Sequence, residues 1–462
     1  MKPILTPIQA GALMLLSAAI VKADELPVFD RNIVGHSEAT RSGKIMVVTS
    51  PDVHNVIKWK SFDVATDHEV HFYGGNYLNL VGGNRPSEID GLVLGLENVT
   101  IVNPNGIRVG PNADLSAEQL TLSTAKVTDD IISTFGRRGE FVIQNRGEGP
   151  VTLIGRITAQ NCRIEGGKVT IGDISSITYP QAGKLEVHSS VGRIDVGGPA
   201  GTDLSKTALK DDPAVINHTG EIGIYSKEQL ESIYLKPDSK YFLINDIELG
   251  TISQPLDRGL GFSGHLDGAF NTINFQLRTE ADAQKVRAGL FAKLEGAMIE
   301  NLKINGDVQV ANPGNDSSIS VLAGEIANST LKNIQIEQGS WYVPPTSTAN
   351  IYAGGLAGII DETSGRTEFE NVLCSIDDSA LPFSELPPNI KAGSLIGLYR
   401  GGVKQQGLVA GESSRVMVVG ENLTSESFFD NFEQAATATP ASSLSSFLTD
   451  DNGYYTHKRH LP

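Results

Sequence analysis

Short runs rich in Val, Ile and Thr, broken by Gly, Asn and Asp, fill most of the first 200 residues. Lys44 to Thr49, Glu69 to Tyr73, Gln119 to Thr124, Phe141 to Gln144, Val151 to Ile154 and Lys168 to Ile171 are examples. Near-alternation of apolar and polar positions, with turn residues between the runs, predicts half-buried strands. The 3.6-residue period of an amphipathic helix is weak almost everywhere. Two segments depart from this. Tyr225 to Glu231 predicts a short helix capped by Ser226, and Ser425 to Ala436 one amphipathic helix. The expected class is all-β, with short strands arranged as a sandwich, a barrel or a solenoid.

One turn stands out. In Ile101-Val102-Asn103-Pro104-Asn105-Gly106-Ile107-Arg108-Val109, the apolar positions Val99, Ile101, Ile107 and Val109 predict two strands on either side of Asn103-Pro104-Asn105-Gly106. Asn at the first position, Pro at the second and Gly at the fourth suit a type I turn. Proline presets φ, and the first Asn side chain can bond nearby backbone amides.

Repeats select the solenoid. Ala288-Gly289-Leu290-Phe291, Ala323-Gly324-Glu325-Ile326, Ala353-Gly354-Gly355-Leu356-Ala357-Gly358 and Ala392-Gly393-Ser394-Leu395-Ile396-Gly397 recur at intervals of about 30 to 40 residues, the spacing of stacked arrays. Three are followed by an Asn-centred apolar strand: Ile299 to Ile304 around Asn301, Leu331 to Ile336 around Asn333, and Phe369 to Val372 around Asn371. A single coil cannot bury its apolar face, whereas stacked coils can, and asparagine tolerates the left-handed backbone of a coil corner. Coils of roughly 20 to 25 residues are expected.

Composition narrows the partners. A net charge of −17 argues against nucleic acid, which needs a basic surface. At the N-terminus, Lys2, the apolar run Ala10 to Ile20 and Val21-Lys22-Ala23 predict a secretory signal peptide over 1–23 with cleavage after Ala23. The run is too short to span a bilayer, and no later stretch is long and apolar enough to do so. Cys162 and Cys374 are read as two buried thiols, although an exported chain could bridge them. Gly197 to Gly201 opens a linker over 201–238. The repeat region is 239–411, and 412–462 is a less ordered tail.

Around the turn, five elements follow in order. They are Val56-Ile57-Lys58-Trp59-Lys60-Ser61-Phe62-Asp63, Tyr77-Leu78-Asn79-Leu80, Ser87-Glu88-Ile89-Asp90-Gly91, the Asn-Pro-Asn-Gly turn, and Leu122-Ser123-Thr124. This series resembles the N-terminal secretion domain of two-partner-secretion exoproteins, the filamentous haemagglutinin family, over the segment 24–200. It departs from the family pattern at Leu80, where Arg is usual, and at Asp63, where Asn is common. The resemblance implies a right-handed parallel β-helix with a capped N-terminal section, and export through a dedicated outer-membrane transporter. It places transporter recognition at Asn103, Pro104, Asn105, Gly106 and Asn79, with Trp59 and Phe62 as structural supports packed in the core. The later repeats look like the GLUG repeats of bacterial surface adhesins.

Enzymatic chemistry has little to stand on in the sequence. Asp129-Asp130, Asp211-Asp212, Asp377-Asp378 and Asp450-Asp451 are adjacent pairs read as solvated turns. His68-Glu69-Val70-His71 would place its histidines on opposite faces of a strand. No zincin, nucleophile-elbow or phosphate-loop motif occurs, and no metal or cofactor is expected. The expected function is a secreted or surface-bound, non-enzymatic adhesin that contacts a host or bacterial surface ligand. Capture of haem or a haem carrier is the alternative, and a β-helix carbohydrate-active enzyme the third reading.

Overall fold

The computed structural model describes residues 25–410 apart from 143–146, 181–182, 203, 205–208, 210–211, 343, 345–346, 364, 377–388, 394–395 and 401–407. The expected signal peptide, the expected helix at 425–436 and the tail 412–462 lie outside the described residues. The chain divides into two compact units. One comprises 1–149, 155–163 and 179–184, and the other 150–154, 164–178 and 185–462. Both are built of parallel strands in successive coils, as a right-handed parallel β-helix requires.

The first unit begins with β1 (Val28–Val34), β2 (Glu38–Ser42), β3 (Ile45–Thr49) and β4 (His54–Ser61). Strand β1 pairs antiparallel with β4, and β2 antiparallel with β3. These two antiparallel strands close the first coil, because a parallel stack otherwise ends in unpaired N–H and C=O groups. Strand β1 carries three register shifts, and β2 keeps only one half-buried position among exposed ones. Both features blunt an edge.

The coils then run through β5 (Glu69–Tyr73), β6 (Asn76–Val81), β7 (Ser87–Ile89), β8 (Leu92–Gly95), β9 (Asn98–Val102), β10 (Ile107–Val109) and β11 (Asp114–Ser123). Ile45 pairs with Glu69, Glu69 with Leu92 and Leu92 with Asp114, steps of 24, 23 and 22 residues. The same registers stack Met46, Val70, Val93 and Leu115 into one buried column. The coil length expected from the sequence holds here.

One helix was not legible. α1 (Asp129–Arg138) opens on Asp129 and Asp130, ends on Arg137 and Arg138, and stops at Gly139 with φ 69°. Those charges suit the helix dipole at each end. Its Phe135 packs on Val56, Leu78 and Val102, the outward side chains of β4, β6 and β9. Those strands are therefore buried on both faces, which explains their nearly unbroken apolar runs. Asp129-Asp130 is thus a solvated first helical turn rather than a loop.

The second unit is stacked in longer coils. Ile222 pairs with Tyr241, Tyr241 with Leu266, Leu266 with Ile299, Ile299 with Leu331 and Leu331 with Phe369. The steps are 19, 25, 33, 32 and 38 residues, so the expectation of 20 to 25 per coil fails for the repeats. Side chains from Tyr241 to Phe369 in this column are buried. Asn301 and Asn333 sit at left-handed φ of 51° and 52°, as corner residues should. The region read as a linker contains the strands Val215–Thr219 and Ile222–Ile224 and the helix Lys227–Glu231, whose Ser226 side chain accepts from Gln229 N.

The Ala-Gly ladder needs one correction. Ala288 stacks on Ile319, Ile319 on Ala353, and Ala353 on Ala392. Ala323 instead stacks between Phe291 and Ala357 on the neighbouring sheet. The third unit, Ala353 to Gly358, contains Ala-Gly twice, and Ala323-Gly324 belongs with its second copy. Cys162 and Cys374 are both buried and unbridged.

Candidate functional site

The Asn-Pro-Asn-Gly turn crosses between β9 and β10. Gly106 N donates to Asn103 O at 3.1 Å and closes the four-residue turn. Gly106 has φ 127°, a backbone that favours glycine. Asn103 is wholly buried, whereas Pro104 is exposed. The Asn103 side chain donates to Arg85 O and to Ser87 Oγ, both at 3.0 Å, and its Oδ1 accepts from Asn105 N at 3.0 Å. Asn103 N donates to Ser123 O at 3.0 Å. One residue therefore stitches its own coil to the coil before and the coil after. Asn105 Nδ2 donates to Gly83 O at 2.9 Å and adds a second tie to the preceding coil.

Asn79 occupies an interior column of Ile57, Asn79, Ile101 and Leu122, where its neighbours are apolar. Burying an amide there costs several kcal/mol unless its bonds are made. Both are made: Trp59 Nε1 donates to Asn79 Oδ1 at 2.9 Å, and Asn79 Nδ2 donates to Thr100 O at 3.1 Å. Trp59 is buried edge-on against Phe62, with ring centroids 5.5 Å apart. Trp59, Phe62 and Asn79 thus form one internal group, while Pro104 and part of Asn105 face outward. The two departures from the family pattern have local accounts. Leu80 packs at the margin of the apolar cluster under α1. Asp63 is buried and receives Arg85 Nη2 at 2.5 Å and Glu88 N at 2.9 Å.

A second constellation, in the other unit, escaped the sequence reading. Asp195 is fully buried within Ile194–Gly198. It accepts from Arg193 Nε at 2.9 Å and Nη2 at 2.7 Å, and pairs with His218 Nε2 at 3.0 Å. His218 Nδ1 meets Glu221 Oε2 at 2.9 Å, and its ring stacks on Phe242 at 4.5 Å. Asp267 and the pair His265–Glu300, 2.9 Å apart, lie beyond. Lys168, 6% exposed, places Nζ 2.5 Å from Ala269 O, 3.2 Å from Asn271 Oδ1 and 3.7 Å from Asp195 Oδ2.

Burial pushes the Lys168 amine below its ordinary value, with Asp195 opposing. Burial would lower His218 too, but its bonds to Asp195 and Glu221 outweigh it and raise the ring to about 9. Burial would raise Asp195, yet Arg193, Lys168 and His218 hold it well below the usual carboxylate range. These residues come from successive coils and are scattered over 168–300, so no spacing motif betrays them. The available sequence signal was an Asp flanked by Ile194 and Val196.

Residues 24–236 match the family model of the TPS secretion domain, just under half of the chain. The Heme/hemopexin-binding protein of Haemophilus influenzae is 26% identical over 182 residues, 37% of this chain and 20% of that protein. The chain therefore spans about a fifth of that relative's length. Among solved structures, the HMW1 secretion domain from Haemophilus influenzae is 12% identical, with a TM-score of 0.28 over 86% of this chain and 98% of that one.

Proposed function

We propose that this chain is an exoprotein carried across the outer membrane by a two-partner-secretion transporter, and that it then acts as a non-enzymatic adhesin. The observation that carries the export reading is the TPS secretion-domain match over 24–236, with the Asn-Pro-Asn-Gly turn inside it. The physical logic favours it as well. A coil stack can fold from one end, each completed coil templating the next, and needs no energy source outside the cell. Asn103, Pro104, Asn105, Gly106 and Asn79 are assigned to transporter recognition and to the first stacking steps. In this reading the exposed Pro104 and Asn105 present the turn, and the buried Asn103 and Asn79 hold its shape.

The adhesin reading rests on the GLUG-like repeats and on the ladders they carry. Asn333 Nδ2 donates to Asn301 Oδ1 and Asn301 Nδ2 to Asp267 Oδ1, while Glu248, Asn274 and Asn305 bond in a second file. Asn333 and Asp267 of the first file are buried, and the partly exposed second file is the polar face offered to a surface ligand. Haem or haem-carrier capture is the second reading, favoured by the printed name of the Haemophilus relative. That name belongs to a protein of which this chain spans a fifth, so it stands behind the first.

The export test expresses the chain in a Gram-negative host with and without a two-partner-secretion transporter. Release into the medium is expected only with the transporter, and is lost when 24–236 is deleted. Equal release without the transporter would sink the proposal. The secreted product is then offered cultured cells on one side and immobilised haem or hemopexin on the other. Saturable binding to one alone selects between the two readings.

A further inference from the structure

We infer that Lys168 and Asn271 become joined by an intramolecular amide bond, formed between the side chains by the folded protein itself. The inference concerns the second unit alone and holds whichever ligand the exported chain binds. A lysine amine, an asparagine carboxamide and a carboxylate stand together here, all at least nine-tenths buried. Lys168 Nζ is 3.2 Å from Asn271 Oδ1, one bond from the carbon it would attack. Asn271 is 9% exposed and Lys168 6%, so water does not compete for either.

The orientation of the carboxamide is fixed by chemistry. Asn271 Nδ2 donates at 2.8 Å to Leu243 O, which can only accept, so Oδ1 is the atom turned toward the amine. The backbone is shaped for this approach. Ala269 and Phe270 have left-handed φ of 47° and 59°, unusual for residues with side chains, and Ala269 O bonds Nζ at 2.5 Å. Phe270 is in turn held beneath Arg193, whose guanidinium lies 4.5 Å from the ring centre. Burial favours the neutral, nucleophilic amine at Lys168. Asp195, 3.7 Å from Nζ, is the nearby carboxylate that stabilises the positive charge developing on the attacking nitrogen.

The step balances without an oxidant or co-reactant. The Nζ lone pair attacks Asn271 Cγ, and one N–H proton passes from Nζ to Nδ2, with Asp195 stabilising the positive charge on Nζ in between. The Cγ–Nδ2 bond breaks, and ammonia departs. The product is an Nζ–Cγ amide that closes a loop from 168 to 271, across coils that otherwise meet only through hydrogen bonds and packing.

The experiment is mass spectrometry on the purified, folded full chain. Tryptic digestion is expected to yield one branched peptide in which 164–184 and 259–278 are joined through Lys168 and Asn271. Its mass is the sum of the two peptides less about 17 Da, one ammonia. Cleavage after Lys168 is lost. Fragmentation places the missing mass at these two residues, which separates the bond from cyclisation at another asparagine. Lys168→Arg and Asn271→Ala remove the branched peptide. Asp195→Asn, which keeps both reacting groups, leaves it absent or strongly reduced in folded protein. Recovery of 164–168, 169–184 and 259–278 as separate peptides from the folded wild-type chain overturns the inference, and leaves Lys168 as a buried cap on the Ala269 carbonyl.

Discussion

Replacing Asn103 by Ala removes four side-chain hydrogen bonds and leaves the Arg85 carbonyl and the Ser87 hydroxyl inside the coil without that donor. A loss of about 2 to 3 kcal/mol is expected, from the cost of unmet buried polar groups, and denaturant unfolding of the purified chain measures it. His218 gives the second residue-scale prediction. Its folded-state value of about 9 lies above the ordinary 6.5, so its stabilisation is complete below pH 6.5 and disappears as pH rises through 9. The linkage amounts to roughly 3 kcal/mol. Asp195 acts at the other end: held low, it stabilises above the ordinary carboxylate value of 3.8 and loses that effect on acidification. Unfolding midpoints followed from pH 6 to pH 10 should therefore fall in the wild type and stay flatter in His218→Gln. At this scale the sequence was uneven. Asn103 was legible because turn chemistry is local. Asn79 was named only through a family pattern, since nothing in Tyr77-Leu78-Asn79-Leu80 reveals a Trp59 ring one coil away.

Among elements, the strands were legible and their registers were not. Period two marks a strand, but which strand stacks on which depends on loop lengths that carry no such signal. That is why Ala323-Gly324 resembles the first half of the Ala353-to-Gly358 unit in sequence and stacks on the second. The true column is Gly324, Gly358 and Gly397. A Cβ on Gly358 would come within 2.6 Å of Ile319 N, and one on Gly397 within 2.4 Å of Ala353 N. These glycines let two sheets meet closely at the bend. Gly358→Ala should cost roughly 1 to 3 kcal/mol through overpacking, seen as a lowered melting temperature in circular dichroism. A comparable change at Gly259, where a Cβ meets nothing within 4 Å, tests backbone strain alone, because its φ is 80°. Helix α1 was missed because its ten residues bury only Ile131 and Phe135 toward the sheet, too sparse a stripe to register as periodic.

For the whole molecule, a solenoid was legible from repetition, and its coil length only in the first unit. The step lengthens from 22 residues between Leu92 and Asp114 to 39 between Ala353 and Ala392. Stability that adds coil by coil makes a sharp prediction. Deleting Ile319 through Tyr352, the 34 residues from one stacked position to the next, should leave β-sheet content and a cooperative melt. Deleting only 319–335 breaks every later register and should remove the share of both that the coils after 319 contribute. The buried charges from 168 to 300 illustrate the remaining limit. They are brought together by winding, and no local rule foretells it.

The antiparallel strands β1 and β2 carry a consequence for assembly. A stack of this kind ends in rows of peptide groups that any other copy of itself could continue, which is the route by which such proteins become fibrils. Here one terminus of the stack is sealed by chain running the wrong way and bent out of register. An irregular edge of that kind is a poor template for a second copy, so stacking is discouraged there from passing between molecules.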